Sequence, residues 1–136
     1  MNAPTGVAAD ARDHYVSLDG RTTIDVRHAS DAAAVHGDDT AALRRRFLVQ
    51  RMFRADAITL TYSHVDRMVI GGAMPVGESL LLQALKPIGS PRFLDRRELG
   101  IINVGGPGTV HADGSNYTLA KLDSLYLGMG TADVRF

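Results

Sequence analysis

The stretch GTVHADGSNYTL, residues 108–119, decides the fold. Two short runs with β-branched and aromatic residues flank Asp113-Gly114, and a two-residue Asp-Gly turn between such runs is the strongest short-range hairpin signal. With those two residues as the turn, Val110 faces Tyr117, and His111 faces Asn116 on the opposite side of the sheet. Just upstream, Leu99 to Val104 reads as a strand and Gly105 to Gly108 as a loop into the hairpin. Downstream, Leu119, Leu122, Leu125 and Leu127 carry the core toward Gly128 and Gly130. Short strands with glycine turns at this spacing predict a sandwich or barrel.

Further from the hairpin the signals weaken. Ile58, Leu60, Tyr62 and His64 alternate with Thr59, Thr61 and Ser63, the two-residue period of a half-buried strand. Arg67 to Met74 is an apolar run broken by Gly71-Gly72 and stopped by Pro75. Residues 76–92 fit two readings. Leu80, Leu81, Leu82 and Leu85 make either one helical turn before Pro87 or a strand and loop. Asp39 or Thr40 caps a short helix in which Leu43 and Phe47 share a face and Arg44, Arg45 and Arg46 spread around the solvent side. Ala29 to Val35 is weakly helical and too short to stand alone. Residues 1–24 have no sustained period and read as a mobile extension with one short strand near Tyr15 to Leu18. Residues 25–136 then form a single all-β domain with a helical lead-in.

Composition narrows the function. The 136 residues are 45% apolar and 22% charged, enough for one core. Fifteen basic and fifteen acidic residues cancel, which argues against a nucleic-acid surface and makes the Arg44–Arg46 run a solvated helix edge. With no cysteine there is neither a thiolate metal site nor thiol catalysis. No apolar stretch approaches the ~20 residues of a membrane helix. The start, MNAPTGVAADARDHYV, lacks the apolar core of a secretory signal, so a soluble cytoplasmic location is expected.

The pattern from glycine through hairpin to Asp123 and a final glycine reads like a cupin-type jelly-roll segment. A longer stretch is more specific. Tyr62-Ser63-His64-x-Asp66-Arg67, Gly71-Gly72-x-Met74-Pro75, and Arg96-Arg97-Glu98-Leu99-Gly100 running into Ile102-Asn103-x-Gly105-Gly106 occur in order and at matching spacing. Together they closely resemble the N-terminal half of the 5-dehydro-4-deoxyglucuronate isomerases, also called 4-deoxy-L-threo-5-hexosulose-uronate ketol-isomerases. The resemblance runs from Asp25-Val26-Arg27 to Phe136, with Asp95 where the family usually has Glu. It implies a cupin-type jelly roll that is one half of a bicupin. It also implies an activity that converts a 4-deoxy-5-keto-uronate to a 3-deoxy-2,5-diketo acid in pectin or uronate breakdown, and a homo-oligomer, by family a hexamer.

In the family, zinc is held by three histidines and a glutamate of the C-terminal half, so no metal ligand carries over and the chain alone is expected to be a non-catalytic scaffold. The alternative is a metal-free cupin module that binds a uronate or another sugar acid. Six or seven strands before Phe136 fall short of a closed jelly roll, so an unpaired edge and self-association are expected near Val134 and Phe136.

The candidate substrate-binding residues are His64, Asp66, Arg67, Arg96, Arg97 and Glu98. His64 and Asp66 would share one strand face, but two ligands do not close a metal site, and the stronger reading pairs Asp66 with Arg67 or another arginine. Arginine binds a carboxylate with two parallel hydrogen bonds, which suits Arg96 or Arg97 to a uronate. Weighed against this, and favoured over it, is an ion-pair network between domains or subunits involving Asp95 and Glu98. No catalytic residue can be assigned.

Overall fold

The hairpin forms in the register that its turn dictates. In the computed structural model, which describes residues 13–136, Gly108–Ala112 (here β6) and Ser115–Leu119 (β7) pair antiparallel. Val110 lies opposite Tyr117 and His111 opposite Asn116. Asp113 and Gly114 both have positive φ (45° and 86°), the backbone of a tight primed turn. The Asp113 carboxylate accepts the backbone N–H groups of Ala132 and Asp133 at 2.9 and 2.8 Å, which ties the turn to the start of the last strand.

Five residues, 103–107, join β5 (Leu99–Ile102) to β6, and β5 pairs instead with β8 (Ser124–Leu127) in a two-stranded ribbon. Asn103 holds the intervening loop. Its amide donates to the carbonyls of Gly106 and Leu119, and its carbonyl oxygen accepts from the Gly105 N–H. The last strand, β9 (Val134–Arg135), lies beside β6, giving the order β7-β6-β9.

The other sheet has the order β1-β2-β3-β4, formed by His14–Val16, Thr22–Arg27, Ile58–Ser63 and Met68–Ala73. β2 and β3 run parallel, which requires a long crossover. The crossover carries α1 (Ala32–Val35, one turn) and α2 (Thr40–Phe47), whose N-terminal N–H groups are capped by Asp31 and Asp39. Buried side chains of β2 and β3 (Ile24, Val26, Ile58, Leu60 and Tyr62) meet Val110, Leu119 and Val134 from the second sheet in one core. The chain is therefore all-β with a few short helical turns.

Several expectations change in three dimensions. Residues 13–24 are not an extension. β1 and the first half of β2 lie within them, and Thr22 and Ile24 are fully buried. Their alternation was too short to be read, because β2 is buried on one face only and β1 has three residues. Residues 1–12, the rest of that expected extension, lie outside the described residues. Leu122 is exposed rather than in the core, since it sits in a turn at φ 72°.

The undecided stretch 76–92 resolves as extended backbone at Leu80–Leu82, followed by one 3-10 turn at Lys86–Ile88. Leu80 exchanges both backbone hydrogen bonds with Phe136 at 2.9 Å, and the Leu82 N–H donates to Val134. Leu80 and Leu82 are buried and Leu81 is not, a period of two. This pairing corrects the expected raw edge near the C-terminus. Val134 is buried, with β6 on one side and Leu80–Leu82 on the other. Helix α2 is capped as expected, but its apolar face is not buried, with Leu43 and Phe47 both exposed.

Candidate functional site

Parallel pairing determines which side chains gather at the ends of β2 and β3. The register sets Val26 beside Tyr62 and Arg27 beside Ser63. One residue further, His28 and His64 stack, ring centroids 4.9 Å apart and planes 18° from parallel. The His64 ring also lies 5.0 Å from that of Tyr62, tilted by 55°. Alternation puts Tyr62 on the core face with Val26, and Tyr62 is buried while both histidines are exposed.

Arg97 closes the cluster. Its guanidinium lies over the Tyr62 ring, with Cζ 5.0 Å from the centroid. One terminal nitrogen donates to the Tyr62 hydroxyl at 3.2 Å and the other to the Arg67 carbonyl at 3.1 Å. The fork therefore bridges β3 and the turn before β4, and cation–π contact adds to the two hydrogen bonds. Arg97 makes no ion pair among the described residues.

The other expected site residues are dispersed. Arg96 points away and donates to the Gly89 carbonyl at 2.7 Å. Asp95 accepts the backbone N–H and side chain of Arg92 at 3.0 and 2.8 Å, and these contacts, the backbone bond first, hold its carboxyl below the usual range. Glu98 accepts a hydrogen bond from the Tyr126 hydroxyl, which raises the phenol's pKa through that bond and through desolvation. Four consecutive side chains thus have four separate partners within the described residues, and Asp95 and Glu98 do not pair with each other there.

His64 and Asp66 do not share a strand face either. β3 ends at Ser63, and Asp66 and Arg67 turn the chain with φ of 55° and 53°. Asp66 makes no ion pair among the described residues, so the expected pairing with an arginine is absent there. The cluster thus unites Tyr62, His64, His28 and Arg97 with the backbone of Arg67. Tyr62 and His28 were missed as site residues. The x-His-x spacing of Tyr62 and His64 was a readable signal, whereas the place of His28 depends on a parallel register that no local pattern shows.

Chemically, the cluster is a cationic and aromatic corner. Its nearest acid is Asp13, 3.6 Å from His28 Nε2. Among the described residues, no group of three or more His, Asp or Glu side chains is placed to hold a metal ion. Two stacked imidazoles and one carboxylate do not make a tetrahedral zinc set, and the resemblance itself assigns the zinc ligands to the C-terminal half.

Comparison with known proteins adds a second line of observation. A 4-deoxy-L-threo-5-hexosulose-uronate ketol-isomerase of Cereibacter sphaeroides is 46% identical over 115 residues, 85% of this chain and 42% of that protein. One of Bacteroides fragilis is 47% identical over 116 residues, 85% of this chain and 41% of the relative. The chain is homologous to these ketol-isomerases. A third relative, ketol-isomerase 2 of Rhizobium meliloti, is 49% identical over 111 residues, 82% of this chain. The chain spans about two-fifths of the length of the ketol-isomerases it matches, consistent with an N-terminal half. No protein-family model matches it.

Proposed function

We propose that this chain is the N-terminal half of a ketol-isomerase that acts on 5-dehydro-4-deoxyglucuronate, and that it serves there as a non-catalytic scaffold. The observation that carries this reading is the 46–49% identity over 82–85% of the chain with relatives that bear that activity in their names. In this reading the all-β domain is a cupin-type jelly roll. It packs against a zinc-bearing catalytic half and takes part in a cytoplasmic homo-oligomer.

The chemistry of the cluster supports the scaffold role. Moving a carbonyl from C1 to C2 needs a base or a hydride path between those carbons, and an electrophile at the oxygens. Arg97 has spent its fork on Tyr62 and Arg67, so its geometry favours clamping the sheet over binding a substrate carboxylate. Among the described residues, no group of three or more His, Asp or Glu side chains that could hold a metal ion gathers at His28 and His64, whose acidic neighbour is Asp13.

The test is the coding DNA beyond the Phe136 codon. An in-frame continuation encoding His-x-His followed by Glu is expected. A stop codon there would contradict the half-enzyme reading and leave a free-standing module.

A further inference from the structure

Leu80–Leu82 covers Val134 and Phe136, but a sheet edge stands open at β4. Among the described residues β4 has β3 on one side and no strand on the other. On β3, Ile58 and His64 turn their N–H groups toward β2, donating to the Arg21 and Arg27 carbonyls. Thr59, Thr61 and Ser63 therefore bond to Gly72, Ile70 and Met68 of β4. Alternation then directs the N–H and C=O groups of Val69, Gly71 and Ala73 out of the sheet edge, where no backbone partner meets them among the described residues.

Edge strands are ordinarily blunted by shortness, charge or proline. β1, the opposite edge, has three residues, with His14 held on Asp25. β4 has six, Met68-Val69-Ile70-Gly71-Gly72-Ala73, with neither a charge nor a proline. Val69 and Ala73 pack on the core, so Met68 and Ile70 stand on the other face, and both are exposed. Phe53 lies against Gly72 on that face, and Val65, Met74 and Val76 are exposed at the two ends of the strand.

We propose that β4 is a dimer edge, at which two copies of this chain pair antiparallel about a two-fold axis at Gly71. The edge itself favours a second copy as its occupant. Its outward residues are spaced evenly about Gly71, so an inverted copy offers its hydrogen bonds in the same register, Gly71 opposite Gly71 and Val69 opposite Ala73. In that register Ile70 lies beside Gly72 of the second copy and against its Phe53, a large side chain filling the space next to a glycine. No charge on either strand opposes its twin. The apolar side chains and the strand backbone would bury on the order of 500 Å² per copy, the low end for a specific interface, which suits a reversible dimer in the micromolar range or weaker. The pairing goes beyond the half-enzyme reading, which names no surface, and holds equally for a free-standing module.

The test is sedimentation equilibrium of the chain from micromolar to millimolar concentration, with amide hydrogen exchange followed residue by residue over the same range. A monomer–dimer equilibrium is expected. The amides of Val69, Gly71 and Ala73 should exchange more slowly as the dimer fills, while those of Ile70 and Gly72, already bonded to β3, stay as they are. Ile70→Lys should weaken the dimer about tenfold or more, because the two-fold brings the two introduced charges together. An unchanged thermal melt of the dilute variant shows that it is folded. Ile102→Lys, at an exposed position of β5, leaves the dimer unchanged. A chain that stays monomeric at millimolar concentration, a dimer in which the three outward amides are not slowed, or a dimer indifferent to Ile70→Lys would each overturn the proposal.

Discussion

The rings of His28 and His64 stack 4.9 Å apart because β2 and β3 run parallel in a register that sets Val26 beside Tyr62. Shifting one strand by a single residue would send one of the two rings to the opposite face. The pair therefore reports the crossover through α1 and α2 as much as any local chemistry.

Arg97→Lys is expected to lower the melting temperature. Lysine keeps the charge but loses the fork that joins the Tyr62 hydroxyl to the Arg67 carbonyl. The loss should be about 1–2 kcal/mol, from one or two hydrogen bonds and a cation–π contact at a half-buried site. Thermal melts of the parent chain and the variant check this, and an unchanged melt would show that the fork does not clamp the sheet.

Gly71→Ala is expected to destabilise by about 1–3 kcal/mol, read from urea unfolding. Gly71 lies opposite Leu60 in the β3–β4 pair. A Cβ there would overlap the Thr59 carbonyl oxygen and lie 2.7 Å from Leu60 Cδ2. The backbone oxygen cannot move without disturbing the sheet. Gly106→Ala, where a Cβ meets nothing within 4 Å, is the matched control and should be far milder.

Asp56 gives a signed pH dependence. Its carboxylate accepts the backbone N–H groups of Gly77 and Val76, each at 2.8 Å, and these bonds hold its pKa below the ordinary value of 3.8. A folded-state pKa below the unfolded one makes a stabilising contribution that is fully present above the unfolded value. That contribution is lost as pH falls through the folded value. Stability should therefore decline below about pH 4, and Asp56→Asn should flatten that decline in urea melts taken from pH 6 downward.

Removing residues 1–24 should abolish cooperative unfolding. The deletion takes β1 and half of β2, including the fully buried Thr22 and Ile24, and strips Ile58, Thr59 and Leu60 of their parallel partners. Circular dichroism of the shortened chain checks this. A sharp melt close to that of the parent would show that the first two strands are dispensable.

The Asp113-Gly114 hairpin was legible down to its cross-strand pairs, because a two-residue turn leaves one register open. The β3 strand was legible from its alternation, whereas its glycine-rich neighbour read only as an apolar run ended by Pro75. β2 was not, since its parallel partner lies some thirty residues away and nothing local announces a parallel pair. The ends of the sheet failed for the same reason. Val134 reads as an exposed edge until Leu80–Leu82 is seen beside it. At the candidate site, Arg97 was legible as an arginine with a specific task, but its partners were not. Asp95, Arg96, Arg97 and Glu98 look like one network in sequence and turn to four different neighbours in space.

The scaffold assignment is tested most directly by assaying the purified chain for conversion of 5-dehydro-4-deoxyglucuronate, with and without added zinc. The expected result is no rate above that of the substrate in buffer at any chain concentration, and less than stoichiometric zinc retained after dialysis. Turnover proportional to chain concentration, supported by about one bound zinc per chain and lost in His64→Ala, would contradict it.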